Sequence, residues 1–399
     1  MRKVSVQSLI ESGVLVINDG HRMKSSELQD SPGLPFIRGG DVADGRIDFS
    51  EPDFIDEELR DTFGNKVSQP NDVVITTKGS VGRFAYVRKS YPEFVYSPQL
   101  SFWRVKDESV VLSDYLWQWV RSPAFSHQLG MYKGQTTMAD YISLEDQRRI
   151  EVSLPPLPVQ RRIADILGAL DDKIELNRRM NRTLEDMAQT LYYHMFDGTI
   201  EGDGVPLTDL VTLNPRSRVP DDDEVLTYVG MADIPTHQMS VPEIGRKEYT
   251  SGRRFRNHDT LMARITPSLE NGKTAFVDFL GEDEMAFGST EFTVMRPKEG
   301  VSPCFVYCCA RDDRFREYAI STMTGTSGRQ RVQEKRLGAY AFDELSEDVM
   351  SQFHEKAWPL FERVTSNTNE NRVLAATRAY LLPKLISGEI SVDVAKAAA

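Results

Sequence analysis

The chain has 399 residues, more than one ordinary domain holds, and its 40% apolar and 27% charged shares are those of a globular protein. No apolar run reaches the length of a membrane span, and the stretch from Met1 to Gly13 has neither an apolar signal core nor a cleavage site, which predicts a cytoplasmic location. A formal net charge of −12 excludes a uniformly basic coat, although a polyanion meets local potential and not the average.

From the N-terminus, short alternating apolar runs punctuated by Gly and Pro predict strands, among them Val73 to Thr77 and Phe84 to Val87. Between these two lies the loop Thr76 to Arg83. Its Lys78, Ser80 and Arg83, set among glycines, would let amides, hydroxyls and cations approach phosphate closely; a plain exposed hairpin is the alternative. A helix is predicted near Asp114 to Val120, followed by a second polar loop in which Lys133, Gln135, Thr136 and Thr137 suit base edges or phosphate. From about residue 157 to 196 a stretch nearly free of Pro and Gly has a helical period. A 4,3 alternation picks out Ile163, Leu167, Leu170, Ile174, Asn177, Asn181, Leu184, Ala188, Leu191 and Met195, the pattern of a coiled-coil seam.

The second half opens with acidic runs at Asp221 to Glu224 and Glu282 to Glu284, which most simply are solvated. Cations cluster at Arg246-Lys247, at Arg253, Arg254 and Arg256, and at Lys335-Arg336. Polar loops resembling those of the first half carry Arg264, Thr266, Ser268 and Lys273, and then Thr326, Ser327, Arg329 and Arg331. A helix is predicted near Phe305 to Ala310. Cys304, Cys308 and Cys309 lie there without other metal-ligating residues at suitable spacing, which predicts free, buried thiols and no metal site. A second helical stretch, about 346–386, has the seam Phe353, Ala357, Leu360, Val364, Asn367, Asn371, Leu374, Arg378, Leu381 and Leu385. Each helix of roughly 38 residues would reach about 57 Å, and neither would be stable alone in water, so the two are expected to pair. The asparagines interrupting each seam either turn towards solvent or pair across it and fix the register at some cost in stability.

The two halves repeat at a shift of about 190 residues. Ile174 to Leu184 matches Val364 to Leu374 without a gap, including Asn177/Asn367, Asn181/Asn371 and Arg182/Arg372. Weaker matches upstream keep the same order: Asn71-Asp72 with His258-Asp259, Ala85 to Val87 with Ala275 to Val277, and Gly134 to Thr136 with Gly325 to Ser327. The predicted fold is therefore α+β. Two mixed α/β segments are joined by two long antiparallel coiled-coil helices in a pseudo-two-fold internal repeat.

The segment Leu154 to Leu167, with Pro155, Pro156, Pro158 and Gln160, runs on into Leu170 to Asn177. It resembles the central conserved region of type I restriction–modification specificity subunits. Leu381 to Ile390 is similar to that family's C-terminal conserved region. The second helix lacks the Pro-Pro-Leu-Pro lead of the first and is expected to begin near Phe342 to Leu345. The resemblance implies a first target-recognition domain over 1–152, a central conserved helix over 153–200, a second target-recognition domain over 201–343 and a C-terminal conserved helix over 344–399. It further implies a non-catalytic subunit whose two domains each read one half of an asymmetric, bipartite site in double-stranded DNA. The helices would set the spacer and dock two methyltransferase subunits, and two motor–nuclease restriction subunits would join for cleavage. No cofactor is expected on this chain; S-adenosylmethionine, ATP and Mg²⁺ would be used by the partner subunits.

Enzymatic motifs are incomplete. Asn271 to Thr274 ends like a phosphate-binding loop, but Pro267 stands where its leading glycine belongs. Asn214-Pro215-Arg216 lacks the Asn-Pro-Pro-aromatic pattern of amino-methyltransferases. Asp171-Asp172-Lys173 could belong to a nuclease site but reads more simply as a solvated helix face. A DNA enzyme with an unrecognised site and a helical adaptor with two protein-binding heads remain as alternatives. Cleavage or methyl transfer by the chain alone would favour the first, and absence of a salt-dependent shift on duplex DNA the second.

Overall fold

A computed structural model describes residues 2–29, 32–43, 45–132, 141–197, 200–221, 223–242, 244–326, 328–343 and 345–392, with the backbone alone for 200–203. Contacts divide the chain into two compact units, Met1–Asp172 with Ala375–Ala399, and Lys173–Leu374.

In the first unit an antiparallel sheet has the strand order Leu15–Asp19, Leu100–Val105, Val73–Thr76, Phe84–Tyr86. A smaller sheet pairs Leu34–Ile37 antiparallel with Asp53–Ile55 and parallel with Val95–Tyr96. Arg2–Ser5 pairs with Glu151–Leu154, tying the two ends of the segment together just before the first long helix. The helices Ser113–Val120 and Pro123–Tyr132 bury Tyr115, Trp119 and Phe125 in a core shared with Trp103.

The second unit repeats this plan. Its antiparallel sheet runs Val211–Leu213, Phe292–Pro297, Thr260–Ala263, Thr274–Phe276. Its second sheet again contains one parallel pair, Val225–Val229 with Ala286–Gly288, flanked by Gly245–Glu248 and Arg253–Phe255. Ile200–Pro206 pairs with Ala341–Phe342, and the helix Pro303–Arg311 takes the place of Ser113–Val120. Cys304, Cys308 and Cys309 are free and buried in this helix, and burial pushes all three thiols up in pKa, Cys304 to about 12.

The repeat extends to single hydrogen bonds. Asn71 and His258 both hold positive φ, 73° and 69°, at the mouth of a tight turn. The next residue is an aspartate in each case. Asp72 accepts from Gln69 N at 2.9 Å and Asp259 from Arg256 N at 2.9 Å. Each then forms a two-pronged ion pair with an arginine on the central strand. Arg104 donates to both oxygens of Asp72 at 2.6 Å, and Arg296 to both of Asp259 at 2.7 Å.

The long helices span Leu157–Phe196 and Glu347–Ser387. Every position of both predicted seams is buried or half-buried. The first helix is anchored at its start by Gln160, which is 1% exposed. Its Oε1 accepts from Leu112 N at 3.0 Å, and its Nε2 donates to Val110 O at 3.0 Å and Pro155 O at 2.9 Å. Two expectations need correction. The second helix starts at Glu347 and not near Phe342, because Ala341–Phe342 is a strand paired with Ile200–Pro206. Asp171 is not on a solvated face: it accepts from Arg121 at 2.5 and 3.2 Å, Gln118 at 3.1 Å and the seam residue Arg378 at 2.8 Å. The one cation on this seam is thereby paired.

Within the second unit the helices meet through their asparagines. Asn177 Nδ2 donates to Asn371 Oδ1 at 3.0 Å and Asn367 Nδ2 to Asn181 Oδ1 at 2.8 Å. As one residue number rises by four the other falls by four, so the helices are antiparallel there. Asn177 also donates to Glu370 Oε2 at 2.8 Å, and Asn181 to Thr368 Oγ1 at 3.2 Å. Among the described residues no helix is long and apolar enough to cross a membrane.

Candidate nucleic-acid interface

The backbone brings the two polar loop types together in each unit. In the first, Thr77 N donates to Gln99 O at 2.8 Å and Ile142 N to Thr77 O at 3.1 Å, while Lys78 bridges to Tyr141. In the second, Arg264 N donates to Glu291 O at 3.0 Å and Val332 N to Arg264 O at 2.9 Å, while Ile265 bridges to Arg331. Three segments thus converge on one edge by the same bonds in both copies. Thr77, Gln99 and Tyr141 of the first unit correspond to Arg264, Glu291 and Arg331 of the second.

In the first unit the loop is held by its own backbone. Thr76 Oγ1 donates to Ser80 O at 2.6 Å and accepts from Arg83 N at 2.9 Å. Gly79 and Gly82, with φ of 76° and 91°, make the turns that a side chain would strain. Lys78, Ser80 and Arg83 are left exposed, with Lys78 Nζ 5.0 Å from the centre of the Tyr141 ring. The predicted contacts Lys133, Gln135, Thr136 and Thr137, and Ser327 in the second unit, lie outside the described residues.

In the second unit the edge is charged. Arg331 donates through Nε and Nη2 to Glu291, with 2.7 Å from Nη2 to Oε1. Arg264 Nη1 and Arg253 Nη2 both donate to Glu334 Oε1, at 3.1 and 2.8 Å. The hydrogen bond from Arg331 holds the Glu291 carboxyl below its usual pKa, and the same bond raises that of Arg331. Thr266 exchanges bonds with Gln330, its N donating to Gln330 O and its Oγ1 accepting from Gln330 N, both at 3.2 Å. Ser268 O accepts from Lys273 N at 3.1 Å, and Lys273 Nζ is turned to Met231 O at 2.7 Å. Thr326 and Arg329 are exposed. The basic run is divided: Arg253 joins the edge, Arg254 donates to Arg218 O at 2.8 Å, and Arg256 is exposed in the turn at the other end of strand Thr260–Ala263.

Sequence reasoning missed Gln99, Glu291 and Glu334. The repeat was the available signal, but loops of unequal length make its offset drift by a few residues across this edge. Among the described residues no group of three or more His, Cys, Asp or Glu could hold a metal ion.

A family description, "Type I restriction modification DNA specificity domain", matches residues 9–186. The chain is 20% identical over 353 residues to the specificity subunit of the type I restriction enzyme MjaIX of Methanocaldococcus jannaschii, covering 80% of this chain and 78% of that protein. It is 20% identical to the HindI specificity subunit of Haemophilus influenzae, covering 90% of this chain and 95% of that one. The fold is similar to that of the crystallised type I restriction–modification S subunit from M. genitalium, with a TM-score of 0.55, 12% identity and coverage of 96% and 95%.

Proposed function

We propose that this chain is a type I restriction–modification specificity subunit, like the proteins it is similar to, and that the converged edge of each unit reads one half of a bipartite DNA site. The chain recognises DNA sequence as a specificity subunit and is not the catalytic member of its complex. The observation carrying the finer reading is one backbone frame built twice with different side chains on it. Lys78, Ser80 and Arg83 stand on the first edge; Arg264, Arg331 and Arg329 stand on the second. Equal frames suit the equal geometry of successive DNA turns, while unequal side chains require unequal half-sites. The long helices would fix the spacer and offer their exposed faces, which carry Arg161, Arg162, Asp165, Asp172 and Arg179, to two methyltransferase subunits. Those subunits would supply S-adenosylmethionine chemistry, and two restriction subunits the ATP- and Mg²⁺-dependent cleavage.

The test is the methylated motif. Long-read sequencing of DNA from cells expressing this chain with its methyltransferase partner is expected to give two different short halves around a fixed gap. Substituting Lys78 and Arg83 by Ala should relax one half alone. A continuous or palindromic motif, or relaxation of both halves together, would overturn the reading.

A further inference from the structure

The second edge contains more acid than phosphate binding explains. Glu291 and Glu334 sit among Arg253, Arg264 and Arg331, and carboxylates repel a phosphate backbone. Nor is the acid needed to close the loops. The first unit has Gln99 at the place of Glu291 and makes the same backbone bond there, 2.8 Å against 3.0 Å. The carboxylate is therefore not required by the backbone frame, and its partners are the arginines that this edge alone carries.

The geometry of the Arg331 pair indicates the ligand. A guanidinium has a side-on face, Nε with Nη2, and an end-on face, Nη1 with Nη2. Glu291 takes the side-on face, accepting from both Nε and Nη2. The end-on fork is not committed to Glu291, and the Arg331 side chain keeps 42% of its exposure. A fork of two parallel donors matches the O6 and N7 acceptors of guanine in the major groove. Held by Glu291, Arg331 is fixed in direction, and its pull on phosphate is largely cancelled.

We propose that Arg331 reads one guanine of the second half-site through its end-on fork, with Glu291 as the residue that positions it and suppresses phosphate binding. This rests on the reading of the two edges as the DNA interface. Glu334 accepts a single bond from each of Arg253 and Arg264 beside it, both through Oε1.

The experiment uses the full chain assembled with its methyltransferase partner. The probes are duplexes carrying the mapped methylation site, duplexes of random sequence and equal length, and site duplexes in which each guanine in turn is 7-deazaguanine, which lacks the N7 acceptor. With the native chain, one substitution in the second half is expected to weaken binding, and Arg331→Ala should weaken binding to the native site by about 5- to 150-fold while abolishing the response to that substitution. Glu291→Gln should shrink the 7-deazaguanine effect, tighten binding to random duplex and steepen its salt dependence by about one phosphate contact. Melting temperature and undiminished discrimination in the first half-site separate these effects from misfolding. If Arg331→Ala weakens site and random duplexes equally, or keeps the native response to every 7-deazaguanine, the guanine assignment fails while the interface stands. If Arg331→Ala and Lys78→Ala both leave site binding unchanged, the interface reading itself fails.

Discussion

At the scale of single residues, the firmest feature of each unit is a buried ion pair. The Asp72 side chain is 0% and Arg104 5% exposed; Asp259 is 1% and Arg296 15% exposed. Asp72 accepts further from Tyr96 Oη at 2.6 Å, so its charge is fully surrounded by donors. Removing the guanidinium alone leaves an unpaired buried carboxylate. Arg104→Met is expected to cost about 3–5 kcal/mol in denaturant unfolding of the first unit, and Arg296→Met less in the second because water reaches that pair. The turn carrying each aspartate was legible, as the match of Asn71-Asp72 with His258-Asp259. Its arginine was not, because 32 or 37 residues and a strand crossing separate the partners. A third carboxylate behaves oppositely. Asp278 accepts from Ser240 and Thr365 through Oδ2, while its Oδ1 is buried without a partner. Burial raises its pKa above the ordinary 3.8, outweighing the hydroxyl bonds and the charge of Arg372. The folded state then holds this proton where the unfolded state has lost it, so stability falls as pH rises from about 4 through the raised value. Asp278→Asn should match the native protein at the acid end of that window and become progressively more stable than it with rising pH, read from thermal midpoints. A constant difference would show that Asp278 does not titrate there.

At the scale of elements, the long helices were the most legible part of the chain. A seam every 3.5 residues needs no tertiary knowledge, and it placed both helices, although the second, expected to begin near Phe342 to Leu345, begins at Glu347. The asparagines were ambiguous because period alone cannot distinguish a face turned to water from a pair of amides. In the structure Asn177 is 0% and Asn367 1% exposed, and both bond across the seam. Arg378, which looked like a fault in the seam, is answered by Asp171 from the facing helix, a pairing that no single-helix pattern contains. Asn177 Oδ1 is buried without a partner, so the amide arrangement is not optimal for stability. Replacing Asn177, Asn181, Asn367 and Asn371 together by Leu is expected to raise the thermal midpoint by a few degrees and to loosen the register, since leucine packs acceptably one heptad away. Crosslinking between Leu184→Cys and Val364→Cys, which the native register sets opposite each other, should be efficient in the native background and fall in the four-leucine variant. A lower midpoint with unchanged crosslinking would assign the asparagines to stability alone.

At the scale of the whole molecule, the chain leaves its first unit at Asp172, builds the second, and returns to the first at Ala375. The 190-residue repeat made two similar bodies legible, but it could not assign the returning segment, which matches the corresponding stretch of the first helix equally well wherever it packs. The contacts assign it. Leu382, Leu385 and Ile386, at 7%, 2% and 3% exposure, lie in one core with Ile163, Leu167 and the strand residues Val73, Ile75 and Trp103. The first unit therefore depends on residues that follow it by more than two hundred positions in sequence, whereas the second is contiguous. Leu385→Ala removes buried methyl groups from this core and should cost about 2–5 kcal/mol, depending on how far the neighbours collapse into the space. The loss should be local. Amide exchange in the central strand Leu100–Val105 is expected to accelerate, and exchange in its counterpart Phe292–Pro297 to stay as in the native chain. Equal acceleration in both strands would mean that the units unfold as one through the shared helices. No acceleration in either would mean that the returning segment is dispensable to the core it lies in.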